Sequence, residues 1–185
     1  MKSDRVKWNQ RYREDMGNPV PSRLVARYYA DAPPGNALDI ACGNGRNSIF
    51  LAEKGFQVDA VDISDVAIAR LKAQHPHINA LCRDLDQWHI PSRRYGLIIN
   101  IRFLERRLFS RIETGLTHGG LLIFQSFVGA PGASYCLEKG ELRDIFPSLR
   151  ILHYEEKPTG ASGRFKATAS LVAQKPRMKK DRGQR

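Results

Sequence analysis

The sequence has few of the residues that would cross-link it or hold a structural metal. It contains three cysteines, Cys42, Cys82 and Cys136, which cannot all pair and none of which lies in a C-x-x-C unit. Its five histidines are not spaced from an acid or a cysteine as metal ligands are. These absences argue against a disulfide scaffold and against a metal site, and they predict reduced thiols in a cytoplasmic protein.

Long hydrophobic runs are also missing. Unbroken apolar stretches are short, such as Leu97–Ile99, whereas a membrane span needs roughly 20 apolar residues. The N-terminus is charged and no apolar stretch follows it, which argues against a secretory signal. We therefore expect neither a membrane-spanning segment nor a membrane partner.

The composition that remains is that of one globular domain. The chain has 185 residues, of which 42% are hydrophobic and 26% are charged. We predict a single domain over residues 1–176. Within it, residues 1–32 are expected to form a helical lid region, and residues 177–185 a basic, disordered tail.

The net charge of +11 is concentrated at the two ends of the chain. Residues 1–14 hold five Lys and Arg against two acids, and residues 176–185 hold five against one. A basic surface can bind nucleic acid nonspecifically. No cluster of aromatic and basic residues stands out that would read single-stranded bases. The charge therefore allows nucleic acid as a partner without favouring it.

Short strand-like runs alternate with helix-like stretches along the chain. This order predicts an α/β fold with a doubly wound, mostly parallel seven-stranded sheet and helices on both faces. The last two strands are joined by a Gly- and Ser-rich turn at 159–163 and should form a C-terminal antiparallel hairpin. Strands are predicted over 37–40, 57–61, 78–83, 95–100, 121–127, 149–156 and 168–174, and helices over 22–31, from the glycine turn to 54, from Ser64 to 73, over 109–116 and over 138–146.

A glycine turn follows the first strand directly. Gly43 and Gly45 flank Asn44 and open a helix. Such a turn lets a ligand lie against the main chain, where helix N-terminal amides without partners can bind a polar group. Asp62 ends the second strand 19 positions after Gly43, which is about the spacing at which a carboxylate reaches the hydroxyls of a bound ribose.

Two features separate a cationic adenosine ligand from a dinucleotide. The nicotinamide fingerprint G-x-G-x-x-G needs a third glycine, and that position holds Ser48. Asp39 lies near the end of the first strand, where a carboxylate would repel a pyrophosphate but attract an amino group and a sulfonium. The residues therefore favour a cationic adenosine cofactor.

Taken together, these motifs resemble those of the class I, Rossmann-like S-adenosylmethionine-dependent methyltransferases, and most of all the small tellurite-resistance and thiopurine type. The resemblance covers nearly the whole chain. The segments that carry it are Trp8–Tyr12, Leu38–Asn47, Val58–Ser64, Arg83–Leu85, Tyr95–Ile99 and Gly119–Leu122.

The resemblance implies S-adenosylmethionine as cofactor, S-adenosylhomocysteine as product, and a role for each matching position. Asp39 and the turn through Ala41, Gly43 and Gly45 would hold the methionine part. Asp62 would bind the ribose hydroxyls.

The remaining cofactor contacts implied by the resemblance surround the adenine and cover the site. Ile63 would lie against the adenine, Asp84 would take its exocyclic amine, and the Leu85 amide would face the ring edge. Arg11 and Tyr12 would lie over the cofactor as part of the N-terminal lid.

The chain departs from the family pattern at a few positions. Ala41 replaces a frequent glycine, and Gly96 and His118 stand where Asp and Pro are usual. Asn100 ends the fourth strand beside the cofactor, and Arg102 follows where a neutral residue is commoner. Arg102 is a candidate for clamping an anionic acceptor.

Three functions remain open at this point. The leading one is methyl transfer to a small-molecule acceptor by in-line displacement. The sequence identifies no general base for it and lacks the Asn/Asp-Pro-Pro-Tyr motif of nucleobase amino methylation. The alternatives are an RNA or protein methyltransferase that uses the basic surface, and a non-catalytic S-adenosylmethionine-binding module.

Overall fold

The fold is built on one seven-stranded sheet, seen in a computed structural model that describes residues 2–15, 17–129, 135–159 and 165–178. The strand order is β3-β2-β1-β4-β5-β7-β6. The strands are β1 (Asn36–Ile40), β2 (Gln57–Asp62), β3 (Asn79–Cys82), β4 (Tyr95–Ile101), β5 (Leu116–Val128), β6 (Arg150–Pro158) and β7 (Ala167–Gln174). The helices are α1 (Lys2–Glu14), α2 (Arg23–Tyr28), α3 (Arg46–Glu53), α4 (Asp65–Gln74), α5 (Phe109–Gly115) and α6 (Glu141–Asp144), with 3₁₀ turns at Tyr29–Asp31 and Arg106–Leu108.

Strands β1 to β5 are parallel and β7 runs antiparallel to both β5 and β6. The predicted doubly wound sheet with a C-terminal antiparallel hairpin is therefore confirmed. Because β1 lies in the middle between β2 and β4, the chain reverses its direction of sheet growth there. In open α/β sheets, ligands bind at such a switch point, outside the carboxyl ends of the strands.

Helices cover both faces of the sheet, as predicted. One core contains Val25 of α2, Leu51 of α3 and Leu71 of α4. The other contains Ile112 of α5 and Leu142 of α6. Almost every residue of the central strands β1 and β4 is buried, which is why these strands read as continuous apolar runs rather than as alternating ones.

Several predicted boundaries were wrong. The strand predicted over 121–127 begins at Leu116, so His118–Gly120 lie inside β5, which changes register opposite Tyr95 and Leu97. A side chain at Gly120 would meet the Thr117 carbonyl oxygen at 2.8 Å, so this glycine permits a close backbone approach within the strand. Helix α6 has four residues instead of the nine predicted over 138–146.

Other predictions fall partly outside the described residues. The turn at 159–163 and the loop at 128–135 are described only at their edges, and the tail beyond residue 178 is not described. The limits of a single domain at 1–176 and of a disordered tail stay predictions. No helix in the described ranges is long and apolar enough to cross a membrane.

Candidate functional site

The glycine turn lies at the carboxyl ends of β1 and β2, where the sheet changes direction. Three of its residues have positive φ: Ala41 at 54°, Gly43 at 57° and Gly45 at 80°. The Cys42 amide donates to the Val61 carbonyl at 3.0 Å, which fastens the turn to β2. Because Gly43 has no Cβ, the Tyr12 hydroxyl can lie within 2.5 Å of the place where a Cβ would stand. Alternate residues of the turn thus have left-handed backbone conformations, and the missing side chain at Gly43 lets another group contact its main chain.

Asp62 holds the turn in place from the end of β2. It is 5% exposed, and its carboxylate accepts from the Gly43 amide and from the Ser64 amide, both at 2.8 Å. Burial raises the pKa of Asp62, and the backbone donors at Ser64 and Gly43 oppose that shift. A carboxylate offers about four acceptor positions, so these bonds leave capacity for a ribose hydroxyl.

Asp39 is the most enclosed carboxyl group of the site. It is 1% exposed, and its Oδ2 accepts from the Ser48 hydroxyl at 2.6 Å. Burial raises its pKa to about 7, against the lowering effect of the Ser48 hydrogen bond. No lysine, arginine or histidine in the described part of the chain lies within 4.0 Å of this carboxylate. A buried carboxylate without a cationic neighbour is costly.

Asn100 lies near the end of β4, in register with Ile40 of β1, and is 2% exposed. Its Nδ2 donates to the Phe103 carbonyl at 2.9 Å, whereas its buried Oδ1 has no hydrogen-bond partner among the described residues. Such groups are rare in folded proteins. This oxygen is therefore available to a donor from a ligand.

Helix α1 lies across the site and is anchored on the N-terminus of α4. The Asn9 Oδ1 accepts from the Ser64 hydroxyl at 2.7 Å, and the Asn9 Nδ2 donates to Asp65. Arg70 donates to the Tyr12 carbonyl. These contacts hold Tyr12 over Gly43, where burial and the charge of Asp62 raise the pKa of its hydroxyl. Helix α1 is thus fixed against α4 with Tyr12 at the glycine turn, and its role as a lid stays a prediction.

Arg11, the other lid residue expected over the cofactor, has a different neighbour in this structure. Its guanidinium lies 5.4 Å from the Trp8 ring centroid, and the residue is exposed. Trp8 in turn stacks on Tyr12 with ring centroids 5.9 Å apart. Arg11 therefore supports the lid through Trp8, and its contact with a cofactor stays a prediction.

The residues expected around an adenine lie after β2 and β3. Ile63 is half-buried and Leu85 is 7% exposed. The Asp84 carboxylate accepts from the Asp86 amide at 3.0 Å, which lowers its pKa. The charge of Arg5 in α1 acts in the same direction, so the far end of the lid helix lies near Asp84.

Arg102 was expected near the acceptor side, and three further arginines follow it in the sequence with different partners. Arg106 forms a two-pronged ion pair with Glu141, and Arg107 pairs with both Glu105 and Asp86. Arg111 donates to the Trp88 carbonyl. Arg102 remains: it is exposed at the end of β4 and has no ion pair within the described ranges.

Sequence reasoning missed three residues of the site. Ser48 was noted only as the missing third glycine, yet it binds Asp39. Asn9 was part of a quoted motif without a role, yet it anchors the lid. Arg46 follows Gly45 directly and lies half-buried near Asp39 and Arg102. Their positions next to motif residues were the available signal.

Comparison with known proteins agrees with this geometry. Residues 37–120 match the family described as a methyltransferase domain. The ubiquinone biosynthesis O-methyltransferase of Coxiella burnetii is 30% identical over 100 residues, which are 49% of this chain and 43% of that protein. The chain thus matches less than half the length of this curated relative.

Solved structures share the fold along most of the chain. TehB from Haemophilus influenzae has a TM-score of 0.69 at 22% identity, covering 82% of this chain and 61% of that one. The N-methyltransferase NodS from Bradyrhizobium japonicum has a TM-score of 0.68 at 17% identity, covering 83% and 93%. At these identities the likeness establishes the architecture and not the substrate.

Proposed function

The chain has a class I, S-adenosylmethionine-dependent methyltransferase domain, and on this premise we propose that the protein transfers a methyl group to a small-molecule acceptor by in-line displacement. The observation that carries the proposal is Asp39, a carboxylate buried at the switch point of the sheet that forms no ion pair within 4.0 Å among the described residues. A cofactor with an amino group and a sulfonium supplies the missing positive charge.

Three features of the site fit this cofactor. Asp39 would accept from the amino group, and the Asn100 Oδ1 is a second buried acceptor at the same edge of the sheet. Gly43 has no side chain, and the Tyr12 hydroxyl lies within 2.5 Å of the place where its Cβ would stand. The residues proposed to hold the cofactor are Arg11, Tyr12, Asp39, Ala41, Gly43, Gly45, Asp62, Ile63, Asp84, Leu85 and Asn100.

When bound, the cofactor supplies an electrophilic methyl group. The protein's own residues bind and orient the cofactor and shield it from water. Asp62 pre-shapes the glycine turn through the Gly43 amide, and Tyr12 on the anchored lid keeps water from it. Orientation of this kind contributes on the order of 7–11 kcal/mol to a bimolecular reaction. The site contains no residue that we assign as a general base, which suits an acceptor that is already deprotonated at working pH.

Calorimetry of the whole protein tests the cofactor. S-adenosylhomocysteine should bind and NAD should not, because Asp39 repels a pyrophosphate. Binding of NAD with no binding of S-adenosylhomocysteine would overturn the proposal. Turnover of radiolabelled S-adenosylmethionine in a cell extract then separates an enzyme from a non-catalytic binding module.

The net charge of +11 supports a second candidate, an RNA or protein methyltransferase. If RNA is the acceptor, the protein should bind it in a salt-dependent manner, and deletion of 177–185 should remove that binding. Location in the cytoplasm is part of the leading proposal, since both the cofactor and reduced thiols belong there.

A further inference from the structure

Three neighbouring strands bring chemically different residues to one face of the sheet at its carboxyl edge. Asp39 in β1 is in register with Ile99 in β4, and Ile99 is in register with Ile123 in β5. In a strand, alternate residues share a face, so Phe127, four residues after Ile123, lies on the same face as Asp39. The end of β5 therefore lies on the same face of the sheet as Asp39.

Arg102 follows β4 directly and has an unusual backbone conformation. Its φ is 64°, in the left-handed region that non-glycine residues avoid. Its amide donates to the Gln125 carbonyl at 2.7 Å, which keeps the residue against β5. The guanidinium lies 5.9 Å from the ring centroid of Phe127. Backbone strain at the end of a strand beside a ligand site suggests a functional constraint.

Arg46 adds a second positive charge from the other side. It is the first residue of α3, and its guanidinium donates to the Val20 carbonyl at 3.3 Å. Burial lowers the pKa of Arg46, and the positive charge of Arg102 acts in the same direction. Within the described ranges neither has a carboxylate within 4.0 Å.

Aromatic rings lie beside Arg102. Phe127 stacks on Phe165 with centroids 4.1 Å apart and planes 11° apart. Tyr135 meets the edge of Phe165 at 6.3 Å and is 58% exposed. Because Phe165 and the Arg102 guanidinium already lie over the Phe127 ring, a planar ligand would meet the edges of this cluster, where edge-to-face and cation–π contacts are favourable.

We propose that the methyl acceptor is an aromatic carboxylate, with its charge held between Arg102 and Arg46 and its ring against Phe127. The proposal rests on the proposed methyl transfer and narrows its acceptor. A carboxylate relieves the repulsion between the two arginines and accepts a two-pronged hydrogen bond from a guanidinium. The aromatic wall selects the planar part of the molecule. A small oxyanion would contact only the arginines, and a neutral ring would contact only the aromatic side chains.

The test is titration of three probes into the protein loaded with S-adenosylhomocysteine. The probes are 3,4-dihydroxybenzoate, catechol, which keeps the ring without the carboxylate, and acetate, which keeps the carboxylate without the ring. We expect 3,4-dihydroxybenzoate to bind about tenfold or more tightly than either of the others, because only it makes both the charged hydrogen bonds and the ring contact. Equal binding of catechol and 3,4-dihydroxybenzoate would overturn the proposal.

Variants separate the contribution of the charged hydrogen bonds from that of the ring contact. Arg102→Ala should remove most of the preference for 3,4-dihydroxybenzoate over catechol, and Phe127→Leu should weaken both ring-containing probes alike. Arg107→Ala is the matched control, since Arg107 is an exposed arginine engaged by Glu105 and Asp86. An unchanged preference in Arg102→Ala would overturn the assignment. All three variants should still bind S-adenosylhomocysteine, so failure of the cofactor to bind the unmodified protein points to the proposed function and not to the acceptor site.

Discussion

Two buried aspartates on neighbouring strands show how differently the two edges of this sheet use the same side chain. Asp59 of β2 lies towards the amino edge. It accepts from the Tyr95 hydroxyl at 2.8 Å and from Asn79 Nδ2 at 2.7 Å, and it pairs with Arg94 at 3.3 Å. Asp39 of β1 lies at the carboxyl edge with Ser48 as its side-chain donor, and no cation of the described residues lies within 4.0 Å of its carboxylate.

The difference separates a structural carboxylate from one that needs a ligand. At Asp59 the fold itself supplies donors and a guanidinium, so the charge is stabilised without a ligand. At Asp39 burial is the dominant effect and raises the pKa to about 7. A buried charge that the protein leaves uncompensated is a candidate functional group. The predictions below test this contrast.

The largest effect is expected from Asp39→Asn. Loss of the carboxylate removes the charge that faces the cofactor's amino group, and breaking a buried pair of this kind costs about 3 kcal/mol or more. Affinity for S-adenosylmethionine should therefore fall about 100-fold. Calorimetry checks the affinity, and urea unfolding at pH 8 should show no loss of stability, since the variant removes an uncompensated charge. Unchanged affinity would contradict the role given to Asp39.

Asp59→Ala should show the opposite pattern. It leaves the Tyr95 hydroxyl and the Asn79 amide without their acceptor, which costs about 2–4 kcal/mol of unfolding free energy. Affinity of the folded protein for S-adenosylhomocysteine should stay the same. Tyr95→Phe is the control, because it removes a single donor and should cost about 1 kcal/mol. If Asp59→Ala weakened the cofactor without lowering stability, the division between the two edges would be wrong.

The pH dependence of binding should follow Asp39. The ordinary pKa of an aspartate is about 3.9, and burial raises that of Asp39 to about 7. Since the folded state holds the proton to a higher pH than the unfolded chain, the contribution of Asp39 to stability is present at low pH and is lost as the pH rises through about 7. The cofactor prefers the ionised form, so its affinity should rise about tenfold between about pH 6 and pH 8.

Asp39→Asn is the control for this titration, measured by calorimetry at each pH. The variant should lose the rise in affinity and part of the fall in stability, while Asp62, whose pKa is also raised, keeps its share. The same rise in the variant would assign the titration to another group.

The contrast also explains what the sequence could predict. The glycine turn and the two acids that flank it are local signals on strand ends, and the doubly wound, mostly parallel sheet follows from the alternation of strands and helices. Many partners in and around the site are not local: Asn9 reaches Ser64 across 55 positions, and Tyr95 reaches Asp59 across 36. Which aspartate the fold neutralises is therefore decided by tertiary packing. The start of β5 was missed for a related reason, since Gly120 reads as a turn residue but serves close packing.

The smallest expected effect concerns backbone strain at the two edges. Ala41 at the carboxyl edge and Arg93 at the amino edge are both held at positive φ, 54° and 51°. Replacement by glycine removes about 1–2 kcal/mol of left-handed strain from the folded state. The greater conformational freedom of glycine in the unfolded chain offsets about 0.4–1 kcal/mol of that gain. Ala41→Gly and Arg93→Gly should each raise the unfolding free energy by about 0.5–1 kcal/mol in urea titrations.

Of these two variants, only Ala41→Gly should also change the affinity for the cofactor. A glycine at 41 loosens the turn that Asp62 and the Val61 carbonyl hold in shape, so affinity for S-adenosylhomocysteine should fall by a factor of about two to five, because ordering a looser segment costs free energy on binding. Arg93→Gly should leave that affinity unchanged. Equal affinities in the two variants would mean that the strain at Ala41 is incidental to the site. A loss in Ala41→Gly alone would show that the turn is kept in its binding shape at the expense of stability.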